Sequence, residues 1–384
     1  MSGRGCANGR LLLVGTDLTW SSAVRMAAHE MGYAGVDAVR SGRAAVTRLL
    51  HPQAPYSYVL LNPHRDDGQL RTIRGLTCDE EQSGSELLVL GRSARTPRGF
   101  CVIAGPTRQA IRRALADGCD RGHPPKPSVA TLRHALANRH IETRYQPVVR
   151  LADRKPVGVE ALARLSLPWQ RMIAPEHFVP RIEHAGLAAQ LTDLVAGSCF
   201  ADATGPHLQA HGFAVALNMP LDVMLQPAAL RRLDAQREAA GLVASRVVIE
   251  LTESQVANDL GPLSKAVQWL RTEGYQVAID DVAPGMPGHK GLLDIPFSTM
   301  KIDRVVVRRA ATTPHIAEFM KRIVGAAKAR GMTVVVEGIR DPQHWNRARD
   351  AGADLAQGFG IARPMPKSVL SAWKDHWHAR TDLG

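Results

Sequence analysis

Two α/β units, a small domain with a parallel sheet and then a larger closed (β/α)8 barrel, are the fold this sequence predicts. Three observations predict it. Short apolar runs alternate with amphipathic stretches of helical length over most of the chain, which is the pattern of repeated βα units. In the C-terminal two-thirds, six of these runs end in an acid, an amide or a lysine, as barrel strands do where they deliver polar groups to one rim. Between the two halves, Asp120 to Ser128 is rich in proline, glycine and charge, the composition of a linker.

Bulk properties narrow the classes. A chain of 384 residues has room for two domains and a sizeable core, and 45% hydrophobic with 22% charged residues is ordinary for a globular protein. No apolar run approaches the roughly 20 residues of a membrane span, and Met1 to Cys6 lacks the apolar core of a secretory signal. The five cysteines are scattered without a CxxC spacing, so reduced thiols, no membrane and a cytoplasmic location are expected. A net charge of +12 suits nucleic-acid binding, but the arginines are spread along the chain with no basic tail. The expected partner is therefore a small dianionic ligand drawn to a basic surface, not a nucleic-acid polymer.

The first unit is expected over residues 1–118, with a linker at 119–129 and the second unit at 130–384. Leu11 to Val14, Tyr58 to Leu61, Leu87 to Leu90 and Phe100 to Ile103 read as buried strands of a parallel sheet. Residues 21–31 and 107–116 read as helices. In the second unit, Ser128 can cap a helix running to about His140, and Pro156 to Val159 leads into Glu160. Phe213 to Leu217 precedes Asn218, Val247 to Ile249 precedes Glu250, and Val277 to Ile279 precedes Asp280 and Asp281. Met300 precedes Lys301, Val334 to Val336 precedes Glu337, and Asp354 to Ala356 precedes Gln357.

Five carboxylates thus face one rim: Glu160, Glu250, Asp280, Asp281 and Glu337. Two like charges about 4 Å apart repel by roughly 4 kcal/mol at an effective dielectric of 20, so five demand cations. With no histidine or cysteine at these strand ends the donors are all oxygen, which favours Mg²⁺ or Mn²⁺ over zinc. The adjacent Asp280 and Asp281 suit two ions, as in-line phosphoryl displacement uses. Lys301 suits a water or a phosphate oxygen. Each residue alone has a plainer reading: an acid as a helix cap, Asn218 as a turn, Lys301 paired with Asp303 at the surface, His376-Trp377-His378 as a solvated helix end.

The ordered set resembles the EAL domain family, the phosphodiesterases of the bacterial second messenger cyclic di-GMP. The naming motif stands as Glu160-Ala161-Leu162-Ala163-Arg164, preceded by Tyr145-Gln146-Pro147. Leu217-Asn218-Met219, Glu250-Leu251-Thr252-Glu253, Ile279-Asp280-Asp281, Lys301-Ile302-Asp303, Glu337-Gly338 and Gln357-Gly358 follow in family order. The resemblance covers about residues 130–370 and implies a TIM-like barrel whose first strand is antiparallel. It implies that Glu160, Asn218, Glu250 and Asp280 ligate metal, with Asp281 bridging or holding the second ion and Glu337 its acid. Lys301 then contacts the catalytic water; Gln146, Leu162, Arg164 and Gln357 hold the nucleotide; Glu253 anchors a loop. The implied reaction is two-metal hydrolysis of cyclic di-GMP to linear pGpG by a homodimer, the alternative being a catalytically silent cyclic di-GMP receptor. The chain differs from the family in Val282 to Gly288, where Pro284 and Pro287 fix φ and remove donors, and at Arg340 and Pro220.

The first unit resembles the receiver domain of two-component signalling without its chemistry. Asn62 stands where that family carries its phosphoacceptor aspartate, Asp17 alone remains of an acidic pair, Gly105 precedes Pro106 in place of a lysine, and Gly91 takes the hydroxyl position. The resemblance implies dimerisation or docking of an unidentified protein partner, without phosphoryl uptake.

Overall fold

The computed structural model describes residues 9–15, 17–50, 56–65, 67–77, 86–91, 101–103, 105–119, 127–167, 172–252, 260–284 and 289–379. Two compact units divide the chain, one comprising 1–128 with 165–178 and the other 129–164 with 179–384. Glu253, most of the linker and the loop positions 285–288 lie outside the described residues.

In the first unit, β1 (Arg10–Val14), β2 (Gly35–Val39), β3 (Tyr56–Leu61), β4 (Glu86–Leu90) and β5 (Cys101–Ile103) form one sheet in the order β2-β1-β3-β4-β5. Every neighbouring pair is parallel. That order is the doubly wound arrangement in which helices cover both faces. The uninterrupted apolar runs of β1 and β3 are buried because a parallel sheet has no solvent face. Trp20, Val24 and Ala27 of the helix Leu18–Glu30 pack with Ile111 and Leu115 of the helix Arg108–Cys119.

Strand β2 and the helices Gly42–Leu50 and Leu70–Thr77 were not expected from the sequence. β2 is an edge strand without an apolar alternation, and Asp37 in its middle is held by Arg10 at 2.5 Å and by the Tyr56 hydroxyl at 2.9 Å. Asp17 caps the helix Leu18–Glu30 by accepting from the Trp20 amide at 2.9 Å. The Asn62 side chain accepts from the His64 amide at 3.0 Å, folding back onto its own loop.

The second unit is a closed barrel of eight strands. They are β6 (Ile141–Arg150), β7 (Pro156–Leu165), β8 (Ala214–Asn218), β9 (Val247–Thr252), β10 (Gln276–Val282), β11 (Thr299–Ile302), β12 (Thr333–Val336) and β13 (Leu355–Ala356). β6 runs antiparallel to β13, pairing Leu355 with Arg150. From β7 to β13 successive strands are parallel. Helices such as Ala188–Ala203 and Pro314–Lys328 cross over between successive parallel strands.

Register decides what faces inward. Asn218 lies opposite Glu250, and Glu250 opposite Ala278. Because side chains alternate along a strand, Ala216 lies below Asn218, Val248 below Glu250, Ala278 below Asp280 and Val335 below Glu337. A one-residue slip in any strand would bury its neighbour in place of the acid. The C-terminal helix Leu370–Ala379 corrects one expectation. Trp377 is buried, stacks on Trp373 at 6.0 Å and donates its indole N–H to Arg154 O at 2.8 Å, so this residue belongs to the core while His378 beside it stays exposed.

Candidate functional site

The strand ends bring the acids together around one ammonium. Lys301 Nζ lies 2.8 Å from Glu337, 2.9 Å from Asp280, 3.0 Å from Glu250 and 3.6 Å from Glu160. Its side chain is only 2% exposed, which removes the reading of a surface pair with Asp303. Asp303 instead caps the helix Arg304–Arg309 through the Val305 amide at 2.6 Å.

Two amides complete the floor. Asn218 donates to Glu160 Oε1 at 2.9 Å, and Gln357 donates to Glu160 Oε2 at 2.7 Å. Gln357 also donates to the Gln146 carbonyl oxygen at 3.1 Å, and Gln146 donates to Ala362 O at 3.0 Å. The Gln357 side-chain oxygen, Oε1, is buried without a hydrogen-bond partner, an acceptor left over in a site made of acceptors. Leu162 is half-buried on the same strand as Glu160. Arg164 is fully buried and donates to Ala163 O at 3.0 Å.

How Asp280 and its neighbour both reach one rim needs a local device, since alternation would send them to opposite faces. Asp281 has φ of 57°, the left-handed region that a non-glycine residue rarely occupies, and the β10–β11 register shifts between Ile279 and Val282. This bulge keeps Asp280 buried while Asp281 stands exposed at the lip. The Asp281 amide donates to Asp280 Oδ1 at 2.8 Å, which fixes the turn. Strained backbone of this kind concentrates at functional sites.

Two glycines hold the neighbouring strand ends. Gly338 follows Glu337 at φ 72°, and a Cβ there would lie 2.3 Å from Arg304 Cβ. Gly358 follows Gln357 at φ 153°, with a Cβ position 2.2 Å from the Ile339 nitrogen. Gly358→Ala therefore should destabilise the barrel by about 3 kcal/mol through strain and overpacking. Denaturant unfolding would read this as a lowered midpoint, and an unchanged midpoint would contradict it.

Electrostatics separates the acids into two kinds. Burial works against ionised Glu160, but the Lys301 charge and the Gln357 and Asn218 donors outweigh it and hold the carboxyl below its ordinary range. Burial pushes Glu250 well up and Asp280 up, with Lys301 opposing and the neighbouring acids reinforcing. Partial desolvation of its carboxyl and the nearby Asp280 raise Asp281 to about 6, and burial raises Glu337 to about 8. Burial lowers the affinity of Lys301 for its proton, yet Asp280, Glu160, Glu250 and Glu337 together hold it well above its usual value. One ammonium cannot neutralise five ionised carboxylates, so the raised acids hold protons that a further cation would displace.

The donors fit divalent cations. Glu160, Glu250 and Asp280 each offer an oxygen within 4.8 Å of the others, and Asp280, Asp281 and Glu337 form a second such group. Asp280 is common to both. Hard oxygen donors from carboxylates suit Mg²⁺ or Mn²⁺, and two groups sharing a residue suit a pair of ions. The sequence located every one of these acids. It did not show that Lys301 is their central counter-ion, since nothing in the spacing sets the reach of its side chain.

A barrel of eight strands with one antiparallel member, carrying clustered oxygen donors on one rim, belongs to the class of (β/α) barrels whose sites lie at the C-terminal strand ends. Residues 129–364 match the EAL domain family, and the chain belongs to that family. It is similar to two proteins of Pseudomonas aeruginosa, cyclic di-GMP phosphodiesterase NbdA and cyclic di-GMP phosphodiesterase RocR. The first is 29% identical over 240 residues, 62% of this chain and 31% of the relative. The second is 29% identical over 245 residues, 63% of this chain and 62% of the relative. The chain thus spans less than two thirds of either relative's length. Among solved structures, the PaMucR phosphodiesterase in complex with c-di-GMP superposes with a TM-score of 0.59 at 26% identity, over 63% of this chain and 98% of that one.

Proposed function

We propose that the barrel hydrolyses one phosphodiester of cyclic di-GMP to give linear pGpG, with two Mg²⁺ or Mn²⁺ ions. The observation that carries this reading is the pair of carboxylate groups sharing Asp280 around a buried ammonium. The similarity to relatives named cyclic di-GMP phosphodiesterases, and to a phosphodiesterase solved with c-di-GMP, supports the choice of substrate.

In this reading Glu160, Asn218, Glu250 and Asp280 hold one ion, and Asp280, Asp281 and Glu337 hold the other. Bound there, the ions supply Lewis acidity and lower the pKa of a water. Lys301 orients that water and balances the charge that develops on the phosphorus oxygens. The water oxygen bonds to phosphorus and gives up a proton to solvent. The bond from phosphorus to the 3′ oxygen breaks with its electron pair going to that oxygen, which takes a proton from solvent, leaving a 5′ phosphate and a 3′ hydroxyl. Gln146, Leu162, Arg164 and Gln357 position the nucleotide. Incubating the chain with cyclic di-GMP and Mn²⁺ and separating the products by chromatography tests this: pGpG should accumulate. Nucleotide bound but left intact would move the reading to a silent receptor.

Raised carboxyl pKa values set the pH dependence. Below pH 6 both Asp281 and Glu337 carry protons that a cation must displace, and above pH 8 neither does. Mn²⁺ affinity should rise across that window and binding should release protons. Calorimetry at pH 7 in two buffers of different ionisation enthalpy would show it, and an affinity flat from pH 6 to about 8.5 would contradict it.

The first unit is assigned in the same reading as a receiver-like module for homodimerisation or docking of a protein partner, without phosphoryl transfer. The sheet order β2-β1-β3-β4-β5 and an amide at Asn62 support it. A cytoplasmic setting accords with the free thiol of Cys199.

A further inference from the structure

The lower half of the barrel is not filled. Barrels of this type pack bulky branched side chains in layers across the interior. Here Gly158, Ala214 and Ala216 occupy inward positions of two adjacent strands, and the missing volume leaves a cavity of about 700 Å³. Pockets that bury small organic ligands have comparable volumes. Its roof is Glu250, the acid whose carboxylate faces Lys301 on the other side, and its mouth opens at the N-terminal ends of the strands, beside Gln276 and Thr333.

Wall and mouth differ in chemistry. The shaft is lined by Val148, Val248, Val335 and Leu355, while Arg150 and Lys328 stand at the lip. Both cations are 45% exposed, Arg150 pairing with Asp153 at 2.8 Å and Lys328 pairing with Asp354. The exposed Arg150–Asp153 pair contributes little, so an incoming anion can replace Asp153 at small cost. Asp354, held by the Val334 amide at 2.9 Å, stays in place and leaves Lys328 free to bridge to the anion. From Gln276 at the lip to Ala278, which lies opposite Glu250, the strand rises about 7 Å.

We propose that this cavity is a second ligand site, which takes a medium-chain aliphatic carboxylate with its tail in the shaft and its head between Arg150 and Lys328. The site stands apart from nucleotide hydrolysis and needs none of it. An apolar shaft favours the alkyl chain by burial, and the two lip cations select the carboxylate over a neutral head.

Decanoate, kept below its micelle-forming concentration and titrated calorimetrically into the full chain, is the probe. Saturable binding of one molecule per chain is expected. Ala216→Leu fills the shaft and should weaken binding at least tenfold, and Ala214→Leu serves the same purpose should the first variant fail to fold. Lys328→Ala should weaken decanoate several-fold while leaving 1-decanol unchanged. No saturable binding by the unmodified chain at millimolar decanoate overturns the proposal. So does binding that folded Ala216→Leu or Ala214→Leu leaves unchanged, which places the ligand elsewhere. Decanol binding as tightly as decanoate, with Lys328→Ala silent, overturns the carboxylate assignment.

Discussion

Glu160→Gln should cut Mn²⁺-dependent opening of cyclic di-GMP by about 10³-fold or more, since metal-assisted charge stabilisation is worth several kcal/mol and each 1.36 kcal/mol is a factor of ten. Glu160 is the acid that the surroundings keep ionised. Lys301 and two amide donors stabilise its anion against burial, whereas Glu250, Asp280 and Glu337 are pushed towards their neutral forms. A cation entering the cluster therefore meets Glu160 already charged. Glutamine keeps the size and removes that charge, and its NH₂ meets a donor whichever way it turns, because Asn218 and Gln357 address both oxygens. The check is product formation with saturating Mn²⁺, alongside a melting curve to show that the variant is folded. A folded Glu160→Gln that retains a tenth of the wild-type rate would contradict the role assigned to this residue.

Lys301→Met should destabilise the metal-free chain by about 3–5 kcal/mol, the cost of removing one partner of a buried ion pair. The methionine occupies similar volume but supplies no charge to the four carboxylates within 3.6 Å of Nζ. Those acids must then take up protons or repel one another. A divalent ion can replace the missing charge, so added Mn²⁺ should restore more stability to this variant than to wild type. Turnover should nonetheless stay low, because the proposed mechanism also uses the ammonium to position the water. Denaturant unfolding with and without Mn²⁺ measures the first effect. Equal midpoints for variant and wild type without metal would show that the ammonium is not the cluster's counter-ion.

Much of the site was legible because polar residues at strand ends are conspicuous against short apolar runs. Glu250 after Val247 to Ile249, or Glu337 after Val334 to Val336, needs only the period of a strand to be placed inward. The bulge at Asp281 was not legible, since φ of 57° leaves no mark on an Asp-Asp pair. Arg164 reads as a phosphate ligand by residue type, yet its full burial and its bond to Ala163 O depend on packing that no spacing encodes. β2 escaped notice because Gly-Val-Asp-Ala-Val at a sheet edge has neither alternation nor an apolar run. Trp377 lies between two histidines, which disguised a core position as a polar helix end. The cavity under Glu250 is invisible in sequence for a related reason. Gly158, Ala214 and Ala216 are small residues in unremarkable strands until the register sets them across one interior.

Crystals of the chain soaked in Mn²⁺ and measured at the manganese absorption edge test the central claim most directly. Two anomalous peaks should appear, one among Glu160, Glu250 and Asp280 and one among Asp280, Asp281 and Glu337, with Lys301 displaced from the centre of the acids. Fully soaked crystals without manganese at this rim, and with Lys301 still bonded to Glu250, Asp280 and Glu337, would contradict it.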